Sequence, residues 1–230
     1  MKTFTIGKKK IVLKEEWMVG FITTWIVGLL AHAYRFFNFL PIWDSIYNFT
    51  GVGSTYTLGR WFLGYAGLIT SMFDLPWING AFSLFYISIV VILLTEMFEI
   101  KNKGMIVLCA AIFVSFPTVV SSFAYMYTAD AYLLAFLLAT LAVYLTWCVK
   151  KWGTIAGMVC LAFAMGIYQA YATVVIVLVL LYIIRQFVIE KLDFLEAVRK
   201  DLKYLGMLVG GAVLYAVILK ITLIRYNITL

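Results

Sequence analysis

The stretch LGRWFLGYAGLITSMF, residues 58–73, decides how the chain is threaded. Crossing a hydrocarbon core takes about 20 apolar residues, and this segment falls just short of that while carrying Arg60 and three glycines, Gly59, Gly64 and Gly67. Counting it as a crossing reverses the side of every loop that follows.

The surrounding sequence is almost wholly apolar: 65% of its 230 residues are hydrophobic and the mean hydropathy is +1.02. That excludes a soluble globular protein. Spanning helices are expected over Trp17–Phe37, Trp77–Ile100, Met105–Met126, Ala129–Val149, Gly153–Tyr168, Ala170–Val188 and Leu205–Leu223. The fold class is therefore all-α, a polytopic bundle of about seven spanning helices in one transmembrane domain, residues 1–230. Lys101-Asn102-Lys103-Gly104 and Lys150-Lys151 read as tight turns, and Tyr168-Gln169 reads as a turn or a kink between two spans. Ala31-His32-Ala33 imitates a signal-peptide cleavage site, but the apolar helix continues through Tyr34-Arg35-Phe36-Phe37, so the first span is expected to be retained.

The net charge of +7 does not indicate a nucleic-acid partner, because the cations sit in small groups at the ends of apolar runs. If 58–73 does not cross, only Arg35, Arg60, Lys220 and Arg225 face outward and the other 14 of 18 basic residues face the cytoplasm. If it crosses, the nine from Lys101 to Lys203 move outside and the bias disappears. The segment is accordingly placed as a helix along the outer interface within an external loop, residues 38–76, with a cytoplasmic N-terminus. EKLDFLEAVRKDL, residues 190–202, spaces Leu192, Leu195, Val198 and Leu202 by three or four, which predicts a cytoplasmic amphipathic helix over 190–203.

That threading leaves only Asp44, Asp74 and Asp130 of the 11 acids on the outside, with His32 in the outer third of the first span. Ionisable groups at membrane depth are costly and point to function. Each also has a structural reading. Asp44 is placed to cap a helix, Asp74 to make a turn before Pro76, Asp130 to favour a helix first turn, His32 to hydrogen-bond within the bundle, and Arg35 to snorkel. Trp43, Trp61, Trp77, Tyr125, Tyr127, Tyr132, Tyr168 and Tyr171 suit an aromatic belt; their faces also suit sugars, and Tyr168-Gln169 offers a hydroxyl beside an amide. Cys109, Cys148 and Cys160 show neither disulfide nor metal spacing. There is no Walker A, GxGxxG, HExxH or nucleophile-elbow motif. NFT at Asn48 and NIT at Asn227 match the glycosylation tripeptide, a pattern too short to carry weight.

The order of features is more specific than any one of them. A first span, an external loop with an acid near its start, GSTYTLGRW opening an interfacial helix, YTADAY and then GIYQAY follow one another. This resembles the polytopic glucosyltransferases of the O-antigen serotype-conversion type, members of the GT-C class, over their N-terminal half. GRW at Gly59–Trp61 and YQA at Tyr168–Ala170 carry most of the likeness. The resemblance implies transfer of a hexose, usually glucose, from a polyprenyl-phosphate donor to a surface glycan outside a bacterial plasma membrane. It implies Asp44 as base with Asp130 as a second catalytic acid, and Arg60, then Arg35, as phosphate-binding cations. His32, Tyr168, Gln169 and Trp61 are the candidate substrate-binding residues. The expected partners are the lipid-linked donor, the glycan acceptor and membrane lipid. No cofactor is expected, with a divalent ion shared by Asp44 and Asp130 left open. The rival reading is a non-catalytic subunit or flippase for lipid-linked sugars.

Overall fold

The computed structural model of the protein describes residues 2–6, 9–44, 55–68, 75–191 and 193–228. Asn48, Asp74 and residues 69–73 of the expected interfacial helix lie outside them. Nine α-helices run α1 (Glu15–Phe37), α2 (Leu63–Gly67), α3 (Pro76–Met97), α4 (Lys103–Ser115), α5 (Pro117–Ser122), α6 (Met126–Cys148), α7 (Gly153–Ile167), α8 (Tyr171–Arg185) and α9 (Phe194–Arg225) among the described residues.

Five stretches are long and apolar enough to cross a membrane: Glu15–Phe37, Pro76–Met97, Lys103–Cys148, Tyr171–Glu190 and Arg199–Arg225. Gly153–Ile167 is apolar but shorter. The long third stretch is not one rod. Pro117 offers no N–H and forces Phe116 into an extended conformation, which ends α4. The chain continues through α5 and a 3₁₀ turn at Phe123–Tyr125, then reverses into α6, bringing the Phe113 and Phe136 rings into a stack with centroids 5.3 Å apart. The seven expected apolar segments thus correspond to five stretches long enough to cross, one of them broken at Pro117, and the shorter α7.

Those ends differ in chemistry. At one, which we call the lysine end, Lys103 pairs with Glu15 at 2.6 Å, Lys14 with Glu96, and Arg185 with Glu99 at 2.8 Å. At the other, the tyrosine end, Arg60 lies among Tyr132 and Tyr168, with Tyr215 beside the preceding Gly59. Lys14, Lys103 and Arg185, three of the cations expected on one side, pair with acids at the lysine end.

Packing follows from small residues. Gly20, Thr24, Gly28, His32 and Phe36 form the buried stripe of α1 at a spacing of four. Gly28 lets α1 approach α3 and α4 so closely that any side chain there would run into Leu84. Helix α6 occupies the centre: Ala129, Ala131, Ala135, Ala139 and Ala142 are fully buried, and its two sides join the core cluster around Leu84, Ile87 and Val114 to that around Leu161, Val175 and Tyr204. The outward faces carry Ile22, Ile26, Leu30, Val177 and Ile221, each half exposed or more, as surfaces that meet lipid do.

Four local expectations change. The interfacial helix does not begin at Leu58: Gly59 turns the chain with φ 75°, and α2 starts only at Leu63. It is also more deeply seated than a helix resting on the surface, since Leu63 and Ala66 are buried while Tyr65 and Leu68 face outward. The amphipathic segment 190–203 and the last span are not separate, because nothing around Tyr204 breaks a helix; α9 runs unbroken for 32 residues. At Tyr168 the backbone is extended, so α7 and α8 are distinct helices, as the separate segments 153–168 and 170–188 suggest. Finally, the β-branched segments Lys2–Ile6 and Lys9–Leu13 pair as an antiparallel hairpin ahead of the helices, which the apolar pattern did not predict.

Candidate functional site

The site is built around the Gly59 turn. A left-handed φ suits glycine, and here the space is also taken: a Cβ would strike the Gln169 amide and the Tyr215 hydroxyl. Gln169 Nε2 donates to the Leu58 carbonyl at 2.6 Å and to the Tyr215 hydroxyl at 2.9 Å, and Tyr215 donates to the Gly59 carbonyl at 3.0 Å. On the far side the Phe62 N–H donates to the Gly166 carbonyl at 2.8 Å, and Trp61 packs so closely on Gly166 that no side chain would fit there. The turn is thus held at once from the end of α7, from the α7–α8 connection and from α9.

Arg60 is aimed by this frame. Its guanidinium carbon stands 4.5 Å from the centroid of the Tyr168 ring, a cation–π contact, and Nη1 lies 3.4 Å from the Tyr132 hydroxyl. Its buried Nε has no hydrogen-bond partner among the described residues. Asp44, exposed at the end of the described first loop, and Arg60 both act electrostatically on the Tyr127 hydroxyl.

The remaining candidates divide. Tyr168, Gln169 and Trp61 belong to the Arg60 frame, but Trp61 is only 6% exposed and serves as a wedge against Gly166 and Phe163. Asp130 is 1% exposed between α3 and α6, where Asn79 Nδ2 donates to its Oδ1 at 2.9 Å. His32 is buried against the Phe123 ring at 4.6 Å, with Nε2 2.9 Å from the Val114 carbonyl. That carbonyl is left over where Pro117 ends α4, so His32 satisfies a helix terminus. Arg35 donates from Nε to the Phe123 carbonyl at 2.8 Å and from Nη2 to the Ala124 carbonyl at 3.0 Å, and from Nη1 to the Leu40 carbonyl. It ties the end of α1 to the turn before α6. His32 and Arg35 tie α1 to the end of α4 and to the turn before α6.

Reading the sequence for site residues misses Tyr215, Gly59 and Asn79. Tyr215 joins Gly59 across 156 residues and has no local signal. A second tyrosine group closes the same end: Tyr56 stacks on Tyr226 with centroids 5.0 Å apart, and both hydroxyls bond to Tyr65. Burial and those bonds push the Tyr56 phenol up to about 12, so it stays protonated through the neutral range. Among the described residues, no group of three or more His, Cys, Asp or Glu comes together to hold a metal ion.

A family model, Glucosyl transferase GtrII, matches residues 33–230. The chain belongs to the GtrII glucosyl transferase family. The GtrII match takes in Arg35, Asp44, Arg60, Asp130, Tyr168 and Gln169 and begins one residue beyond His32. No curated protein and no solved structure matches the chain. As a GtrII protein with membrane-spanning helices, it is a membrane glycosyltransferase that uses a sugar donor and a glycan acceptor.

Proposed function

We propose that the protein transfers glucose from a polyprenyl-phosphate donor to a cell-surface glycan on the extracytoplasmic side of a bacterial plasma membrane. The observation that carries this reading is Arg60: a half-buried guanidinium laid on an aromatic ring, its Nε–H without a partner among the described residues, at the end of the bundle opposite the Lys14, Lys103 and Arg185 pairs. A buried cation with spare donor capacity suits a phosphate.

In this reading the Asp44 carboxylate takes the proton of an acceptor hydroxyl as that oxygen bonds to the anomeric carbon. The bond from the anomeric carbon to the phosphate oxygen breaks, and its electron pair leaves with the lipid phosphate, which passes from a monoanion to a dianion. Arg60 stabilises the added charge. Tyr168 and Tyr132 hold the guanidinium, and Gln169 and Tyr215 hold the turn that presents it. Asp130, buried against Asn79, acts as a positioning residue between α3 and α6, and His32 and Arg35 fix the fold beneath the loop.

The test is transfer of labelled glucose from polyprenyl-phosphate-glucose in inside-out and right-side-out vesicles containing the protein. Acceptor-dependent transfer confined to the face bearing Asp44 is expected. Transbilayer movement of the donor without transfer would favour a flippase and overturn the proposal.

A further inference from the structure

Beside the Arg60 frame, helices α4 and α5 on one side and α8 on the other leave a groove of about 780 Å³, floored by Leu133 and Phe136 of α6. It follows α8 from Tyr171 to Leu181, about 15 Å at 1.5 Å per residue. Its walls are hydrocarbon and aromatic along that length, and among the described residues no charged one lines it. Polar groups occur at one end only, where Thr118, Ser122, Thr173 and Tyr168 form the rim. Ile112, Phe116 and Val177 on its outer edges are half exposed, so it opens sideways onto whatever surrounds the bundle, which for a spanning bundle is lipid.

Tyr168 belongs to both places. Its ring lines the groove and also carries the Arg60 guanidinium at 4.5 Å. The groove thus ends one aromatic ring away from a cation with unpaired donor capacity. A ligand filling both would be a long apolar chain ending in a single anionic group.

Building on the transferase reading, we propose that this groove binds the isoprenoid chain of the lipid-linked donor and delivers its phosphate to Arg60 past the edge of Tyr168. Four features favour a single isoprenoid phosphate over a two-chain phospholipid. The groove is one helix gap wide. Its floor is α6, buried at the centre of the bundle. The Phe113, Phe136 and Tyr171 rings are among its lining, an aromatic surface that suits a branched unsaturated chain. A single guanidinium waits at its head.

The experiment uses the whole protein in lipid nanodiscs and a polyprenyl phosphate carrying a photoactivatable group in its chain. Labelling should map to α4 and α8. It should fall when unlabelled polyprenyl phosphate competes, and much less with phosphatidic acid or with polyprenol lacking the phosphate. Val174→Trp and Val177→Trp fill the groove away from Arg60. Each should reduce labelling and raise KM for a long-chain donor by about tenfold, while a donor with a short isoprenoid chain is turned over as before.

Scattered labelling over the outer surface, equal competition by phosphatidic acid, or cross-linking of a second copy into the groove would overturn the assignment. Labelling in the groove without any sugar transfer would uphold the groove and sink the transferase reading. Transfer that ignores both tryptophans at either chain length would sink the groove and leave the transferase standing.

Discussion

Replacing Arg60 tests the proposed chemistry most directly, because among the described residues its side chain makes one weak hydrogen bond, and its loss should leave the fold intact. As the glucosyl group departs, the phosphate gains one unit of negative charge. A unit charge about 4 Å from a guanidinium is worth about 4 kcal/mol at an effective dielectric of about 20. Arg60 is half-buried, and screening together with incomplete charge development in the transition state reduces this to about 2–3 kcal/mol. Arg60→Gln should therefore lower kcat for glucose transfer by about 10²-fold. Arg60→Lys keeps the charge but loses the planar contact with Tyr168, worth about 1 kcal/mol, so it should retain activity within about tenfold of the native protein. The assay is initial-rate transfer from polyprenyl-phosphate-glucose in proteoliposomes, normalised to folded protein. Arg60→Gln within about threefold of native activity, or Lys no better than Gln, would refute the assignment of Arg60 to the leaving phosphate.

Asp44→Asn should abolish most transfer, by about 10²–10⁴-fold, with unchanged abundance and thermal unfolding; activity near native would remove Asp44 as the base. Gly59→Ala must adopt a left-handed φ and displaces the Gln169 amide and Tyr215 hydroxyl, so it should lower stability by about 2–3 kcal/mol and reduce transfer, both measured on purified protein. His32→Ala leaves the Val114 carbonyl unpaired and opens a hole against Phe123, costing about 2–4 kcal/mol of stability, while transfer per folded molecule stays near native. A large drop in specific activity with unchanged unfolding would instead put His32 in the site.

The bundle was legible because its signals are local and repeated: apolar runs long enough to span, broken by lysines. Arg60 and Tyr168-Gln169 were legible for a similar reason, since GRW and YQA are short motifs whose order survives in one dimension. Partnership across distance was not. Nothing near Tyr215 says that its hydroxyl reaches Gly59, and nothing near His32 says that Pro117 leaves a carbonyl at Val114 for it to meet. Asp130 illustrates the limit of sorting by side: placing an acid at the outer end does not reveal that α3 packs over it and that Asn79 takes one of its oxygens. The fusion of the amphipathic segment with the last span was hidden because a change of polarity is not a change of backbone conformation.

That fusion makes α9 a single rod of about 48 Å, fastened at both extremities. Near its start Lys200 meets Glu190 and Asp201 meets Gln186; near its finish Tyr215 grips Gly59 and Tyr226 stacks on Tyr56. Tyr215 lies about 31 Å from the first residue of the rod, so a tilt of about 1° at the lysine end moves its hydroxyl by about 0.5 Å, the tolerance within which a reactive geometry has to be held. One continuous helix thus carries contacts of both ends of the bundle, and the aim of Arg60 depends on how squarely that helix is seated at the far end.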